Sequence, residues 1–91
     1  MSDIKVNARD LIKGSLEPGE VFPDDEPITI PVGLPVYFGT EPPPFRVQVG
    51  EVTKVEGDMI TITLETGSYT QERVGRFLEF LKTEGVSIEA V

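Results

Sequence analysis

The placement of the prolines limits what the first half of this chain can fold into. All eight prolines lie between Pro18 and Pro44. Proline has no backbone N–H to donate, so within a sheet it is confined to edge strands, strand starts and bulges. The residue before each proline is also pushed towards an extended conformation. We therefore predict that residues 1–44 form a Pro-rich, acidic arm or belt that stays out of the sheet interior.

Short elements are still expected within this first half. Residues 28–30 and 36–38 are strand candidates, and the prolines that interrupt them restrict each to an edge strand or an extended segment outside the sheet. Residues 7–13 have the pattern of a short helix that Asn7 caps and Gly14 ends.

Residues 45–64 show the alternation of a β-hairpin. A short loop that contains Gly57 separates two arms, and glycine accepts the positive φ of tight hairpin loops. Apolar side chains occupy every second position of both arms. They are Phe45, Val47 and Val49 in the first arm, and Ile60, Ile62 and Leu64 in the second.

The first arm of the hairpin does not alternate throughout. Its apolar phase slips by one between Val49 and Val52, which predicts a β-bulge at Gly50. A straight arm over residues 45–55 would reach roughly 36 Å. A chain of this size has a radius of gyration of about 12 Å, so we expect the arm to bend at Gly50.

Residues 69–84 have the pattern of an amphipathic helix. Ser68 or Thr70 is expected to cap its start, and Gly85 its end. Gly75 lowers helix propensity and suggests close approach to a strand. The apolar face recurs at helical spacing. It comprises Val74, Phe77, Leu78, Phe80 and Leu81.

These patterns predict one β-dominated α+β domain over residues 1–91. The hairpin forms the centre of a small barrel-like or strongly bent antiparallel sheet. Residues 28–38 and 86–89 add short strands, and the C-terminal helix packs across the sheet. The hydrophobic content of 38% and the charged content of 26% are typical of a folded chain, and this length leaves room for a single core.

The composition removes the commonest catalytic and metal-binding side chains. The chain has no cysteine and no histidine, so disulfides, thiolate metal sites and a histidine general base are excluded. Asp24, Asp25 and Glu26 form a dense acidic group without the spacing of a calcium loop. No glycine-rich phosphate-binding loop is present. We therefore expect no enzyme, catalytic residue, metal, cofactor or small-molecule ligand.

The charge and hydropathy of the chain limit the kinds of partner that it can have. The formal net charge is −8, from 16 acidic and 8 basic residues, which disfavours direct contact with nucleic-acid phosphates. No apolar run approaches the length of a membrane helix, and the N-terminus lacks a signal-peptide pattern. We expect no membrane partner and a cytoplasmic, intracellular protein, or one incorporated in a virion.

The hairpin also carries a short pattern of glycine and valine. Its members are Val49, Gly50, Val52, Val55, Gly57 and Asp58. This pattern resembles the KOW-type hairpin of small barrels in translation and transcription factors. The resemblance implies a small β-barrel and an association with nucleic acid. That family typically has a basic surface, whereas Arg46 and Lys54 lie among carboxylates here, so a nucleic-acid-associated factor is our second alternative.

Contact with a protein is the function that the first half of the chain favours. An extended Pro-rich segment loses little conformational freedom when it docks. The segment either wraps its own domain as a belt, where its prolines block edge pairing, or docks on a neighbour, and both remain open. The candidate partner-binding residues are Phe22, Asp24, Asp25, Glu26, Ile28, Ile30, Tyr37 and Phe38.

We therefore predict a non-enzymatic protein-binding or assembly module whose partner is another protein or its own copies. A small acidic domain with an extended Pro-rich arm is similar in architecture to the accessory and joining proteins of phage particles. The first alternative is an acidic regulatory inhibitor that blocks a basic nucleic-acid-binding site on a target protein. The salt dependence of binding distinguishes the assembly module from the inhibitor, because binding that is mainly Coulombic weakens as ionic strength rises.

Overall fold

A computed structural model describes residues 2–23, 25–39, 46–65, 67 and 70–91. Within them, two helices pack on one face of a five-stranded antiparallel sheet with the strand order β2-β3-β4-β1-β5. The elements in chain order are β1 (Ser2–Asn7), α1 (Ala8–Ser15), β2 (Pro35–Gly39), β3 (Arg46–Glu56), β4 (Met59–Leu64), α2 (Gln71–Thr83) and β5 (Ile88–Ala90).

The predicted hairpin is confirmed as β3 and β4. Glu56 pairs with Met59, so the connection is the two residues Gly57 and Asp58. Gly57 has a φ of 60°, and no residue other than glycine in the described segments has a positive φ. A positive φ at only the first loop residue is the pattern of a type II′ turn.

Strand β3 is irregular near Gly50, as predicted, but Gly50 is not the extra residue. Val49 has no counterpart in β2, where Val36 pairs with Gly50 and the next residue pairs with Gln48. Thr53 has no counterpart in β4. Two bulges on opposite edges of β3 therefore flank Gly50, and each adds local twist.

The central strand β1 was not predicted from the sequence. It contradicts the expectation that residues 1–44 stay out of the sheet interior, because residues 2–7 form an inner strand. It pairs with β4 on one side and with β5 on the other. Ile4 and Val6 are buried, while Lys5 between them is on the other face. This alternation is short and precedes the first proline, so the prolines place no limit on it.

The sheet is not closed into a barrel, so the barrel-like expectation is wrong. Strand β1 lies between β4 and β5, so the last strand pairs with β1. In the described part of the chain, β2 and β5 form the two edges and no pairing joins them.

The predicted C-terminal helix is confirmed as α2. Phe77 and Leu81 are buried, and the other apolar residues of its face are half-buried. Gly85 ends it with a φ of 75°. The N–H of Gly85 donates to the carbonyl of Lys82, and the N–H of Val86 donates to the carbonyl of Leu81. These two bonds form a Schellman motif.

The start of α2 differs from the expected capping box. Thr70 is the N-cap residue, and its side chain makes no capping hydrogen bond. Its Oγ1 donates instead to the carbonyl oxygen of Gly67, at 3.3 Å. Ser68, the other candidate cap, lies outside the described residues.

The predicted N-terminal helix is present as α1, and its cap is confirmed. Asn7 Oδ1 accepts a hydrogen bond of 2.9 Å from the backbone N–H of Arg9. Gly14 does not end the helix, which continues to Ser15. A Cβ at Gly14 would lie 3.1 Å from the Cβ of Glu84, so this glycine permits close approach to the end of α2.

The role expected for Gly75 is also wrong. It is exposed, and no atom lies within 4 Å of the position that its Cβ would take. The close approach between strands occurs at Gly50 instead. A Cβ there would collide with the carbonyl oxygen of Thr63.

The candidate strands of the first half follow the restriction set by the prolines. Strand β2 is an edge strand that begins at Pro35. Residues 28–30 are in no strand, and Ile28 and Ile30 pack against the core. The N–H of Gly33 donates to the carbonyl of Val52, which extends the β2 side of the sheet towards the N-terminus.

One apolar core fills the space between the sheet and the helices. Its buried members are Ile4, Val6, Ala8, Val49, Val52, Ile60, Ile62, Leu64, Phe77, Leu81 and Val86. Neither of the helices described here has the length and apolar character needed to cross a membrane.

Candidate functional site

An apolar groove lies between the edge strand β2 and the two helices. We call it the β2 groove. It is lined by Leu11, Val36, Tyr37, Phe38, Phe77 and Phe80, and it has a volume of about 410 Å³. Such concave apolar surfaces are the usual setting of a binding site.

Aromatic rings form much of this groove. The ring of Phe38 lies 6.1 Å from that of Phe77 in an edge-to-face arrangement, and 5.9 Å from that of Phe80. These separations are in the range of favourable aromatic pairs. Phe38 is thus held in place by α2, while Phe80 remains half-buried. The groove is therefore a preformed surface.

Strand β2 adds a polar edge to the apolar groove. No strand pairs with its outer side in the segments that the structure describes. Tyr37, in the middle of the strand, is 50% exposed. Unpaired backbone groups at a sheet edge can receive an added strand, and tyrosine is enriched at protein interfaces.

A second groove lies at the C-terminal end of α1. We call it the α1 groove. It has a volume of about 870 Å³. Its apolar lining includes Leu16, Val21, Phe22 and Phe80, so it adjoins the β2 groove at Phe80.

Carboxylates surround the apolar floor of the α1 groove. Glu17, Glu20 and Glu84 line it and are exposed, and Lys13 is also part of its wall. None of the three glutamates makes an ion pair or a side-chain hydrogen bond with another described residue. Their negative charges face solvent.

The structure places three of the candidate partner-binding residues in these grooves. Tyr37 and Phe38 line the β2 groove, and Phe22 lines the α1 groove. Ile28 and Ile30 are half-buried against the core instead. Asp24 lies outside the described residues.

The other two acidic candidates lie at the opposite end of α1. Arg9, in its first turn, donates from Nη2 to the carbonyl oxygen of Glu26, at 2.6 Å. Its Nε lies 3.4 Å from Asp58 Oδ2 in the hairpin loop. Its Nη1 is buried, with no hydrogen-bond partner among the described residues. Arg9 therefore joins this turn to the hairpin, and Asp25 and Glu26 do not face the grooves.

Sequence reasoning missed most of the residues that complete the grooves. Leu11 had no assigned role, and Phe77 and Phe80 were assigned to the core face of α2. Only the packing of α2 across β2 leaves Phe80 accessible. After Gly14 the sequence has a run of acidic residues with no lysine or arginine. This run could have indicated two of the glutamates that were not identified as site residues.

The opposite face of the sheet is polar. Asp3, Lys5, Thr61 and Thr63 alternate there with the buried residues of β1 and β4. Thr63 Oγ1 lies 3.1 Å from Thr53 Oγ1. Thr61 is buried and the other three side chains are half-buried, so this polar face is only partly open to solvent.

An ion pair on β3 shifts the pKa values of both of its side chains. Lys54 Nζ lies 2.7 Å from Glu56 Oε1. The hydrogen bond from Lys54, together with its positive charge, lowers the pKa of Glu56, and the same contacts raise the pKa of Lys54. Both groups are exposed, and the pair lies beside the hairpin loop, away from both grooves.

The metal-binding potential of the described residues is low. No three acidic side chains converge on a common point in the described segments. The absence of enzymatic activity stays a prediction, based on the lack of histidine and cysteine.

Comparisons of the chain with models of protein families, with curated proteins and with solved structures found no match.

Proposed function

We propose that this protein is a non-enzymatic protein-binding or assembly module, and that its partner occupies the β2 groove. The observation behind the proposal is an aromatic groove beside an edge strand that has no strand partner in the described segments. The groove offers apolar burial, and the strand edge offers backbone hydrogen bonds. An extended peptide segment uses both when it adds to a sheet.

Tyr37 is the residue that we expect to contribute most to binding. It is half exposed on the rigid sheet, and it is one of the residues that line the groove. A partner that covers it would bury a large aromatic surface with little loss of side-chain freedom. Tyrosines in such central positions often dominate interface energetics.

The Pro-rich segment acts as a belt over at least part of its length in this proposal. Ile28 and Ile30 pack on the core, and Gly33 and Leu34 hydrogen-bond to Val52. These contacts favour a partner that docks on a preformed surface. An accessory role in a larger particle, such as a phage virion, is a finer form of the proposal, supported by the general architecture alone.

The charge supports the alternative of an acidic inhibitor that occupies a basic nucleic-acid-binding site. With a net charge of −8, such binding would be mainly Coulombic. The Debye length falls from about 10 Å at 0.1 M salt to about 3 Å at 1 M. The inhibitor would therefore release its target at high salt, whereas burial in the β2 groove would persist.

Affinity capture with matched variants tests the proposal. Tyr37→Ser removes the exposed ring from β2. Val91→Ser removes an exposed apolar side chain, 67% accessible, beyond β5 at the other side of the sheet. Each protein is immobilised and exposed to an extract of the cells that produce it, at low and high salt.

We expect wild type and Val91→Ser to retain the same protein at high salt. We expect Tyr37→Ser to bind it roughly 30-fold more weakly, as the loss of a 2 kcal/mol interface residue implies. Equal capture by Tyr37→Ser would overturn the proposal, and loss of the wild-type interaction at high salt would favour the inhibitor.

A further inference from the structure

The α1 groove has an apolar floor that the chain leaves partly uncovered. Leu16, Phe22 and Phe80 are half-buried, and Val21 at the mouth is 87% exposed. Apolar surface of this kind favours a partner that brings its own apolar side chains. Because Phe80 also lines the β2 groove, one continuous partner segment can contact both.

Three carboxylates around this floor have no ion-pair partner among the described residues. Glu17 and Glu20 stand in the turn that follows α1, where the N–H of Glu20 donates to the carbonyl of Glu17. Glu84 is the C-cap residue of α2. A negative charge there is unfavourable, since the C-terminal end of a helix dipole is itself negative. A cation from a partner would relieve this repulsion.

The charge around the groove also limits which kinds of molecule can bind in it. A second copy of the chain would bring another net charge of −8, and nucleic-acid phosphates would be repelled in the same way. A bound metal ion is disfavoured, because no group of three acidic ligands is found among the described residues. Basic side chains on an apolar peptide fit both the rim and the floor.

We propose that the α1 groove binds a basic peptide segment with large apolar side chains, belonging to the partner that occupies the β2 groove. This inference rests on the proposed function, since the two grooves adjoin at Phe80. Lysine or arginine of the segment pairs with Glu17, Glu20 and Glu84. Its apolar residues contact Leu16, Phe22 and Phe80.

A random peptide library, with members long enough to span both grooves, is the probe that tests the proposal. It is selected on the wild-type protein, and enriched peptides are measured individually. The groove variant carries Glu17→Gln, Glu20→Gln and Glu84→Gln. The control variant carries Glu51→Gln, Glu65→Gln and Glu89→Gln, which are exposed on or beside the sheet. Both variants lose three negative charges, so their difference reports position and not net charge.

We expect the enriched peptides to combine lysine or arginine with leucine or aromatic residues. They should bind the groove variant roughly tenfold more weakly than the control variant, because three exposed ion pairs are lost. In NMR spectra of the wild-type protein, a bound peptide should shift the signals of Leu16, Phe22 and Phe80.

Three outcomes would overturn the inference. They are enriched peptides without basic residues, equal weakening by both triple variants, and no enrichment on the wild-type protein. Parallel binding measurements on Tyr37→Ser distinguish a failure of this inference from a failure of the proposed function. Peptides that lose binding to Tyr37→Ser but not to the groove variant would support the β2 groove and contradict the basic segment.

Discussion

At Gly50 the backbone of β3 approaches that of β4 so closely that a side chain does not fit. A Cβ there would collide with the carbonyl oxygen of Thr63 and lie 3.1 Å from Ile62 Cγ2. Gly75 stands in the opposite situation, on the exposed side of α2 with open space around it. A glycine in a strand interior often marks close backbone approach, whereas a glycine in an exposed helix only lowers helix stability.

Alanine at these two positions should therefore change stability in opposite directions. Gly75→Ala should raise the free energy of unfolding by roughly 0.5–1 kcal/mol through helix propensity. Gly50→Ala should lower it by roughly 1–3 kcal/mol, since the two strands must separate. Urea denaturation of the two variants and wild type measures both effects. A neutral Gly50→Ala would contradict the close approach.

The Lys54–Glu56 pair predicts a specific titration. The hydrogen bond and charge of Lys54 lower the pKa of Glu56 below its ordinary value of 4.5. A lowered folded-state pKa stabilises the protein above the unfolded-state pKa, and this contribution is lost as pH falls through the folded value. NMR titration should show the Glu56 midpoint rising in Lys54→Met and unchanged in Lys82→Met, which removes an equal charge from α2. An unchanged midpoint in Lys54→Met would mean that the pair does not form in solution.

At the scale of single elements, the hydrophobic periodicity predicted an element where the element is long or depends only on residues close in sequence. The hairpin loop at Gly57 and the apolar face of α2 follow directly from local spacing. Strand β1 did not emerge, because only Ile4 and Val6 carry its pattern and its position depends on pairing with β4 and β5. Pairing partners distant in sequence leave no local signal, and the open sheet depends on them.

The cap of α1 offers a test at this scale. Asn7→Ala removes the side-chain oxygen that accepts from the backbone of Arg9 and Asp10, and should lower the free energy of unfolding by about 1 kcal/mol. Asn7→Asp keeps an acceptor oxygen and should be close to wild type. Thermal denaturation of both variants compares them, and equal loss in the two would show that the cap is not the cause.

At the scale of the whole molecule, the β2 groove arises from the packing of two helices over an edge strand. The α1 groove lies between the turn that follows α1 and the end of α2. The sequence pointed to Phe22, Tyr37 and Phe38 because exposed apolar residues were expected in the Pro-rich half. It did not reveal Leu11 or Phe80, since an apolar residue on a helix looks the same whether it faces the core or a groove. The three carboxylates of the α1 groove come from the turn after α1 and from the end of α2, which lie far apart in sequence.

Site-specific photo-crosslinking shows whether a protein partner occupies the β2 groove. Tyr37 is replaced by p-benzoylphenylalanine in the full chain within its native cells, and Val91 is replaced in a control protein. A partner in the β2 groove should give a crosslinked protein from position 37 and none from position 91, since Tyr37 lines this groove and Val91 does not. No adduct at position 37, or the same adduct from both positions, would contradict this proposal.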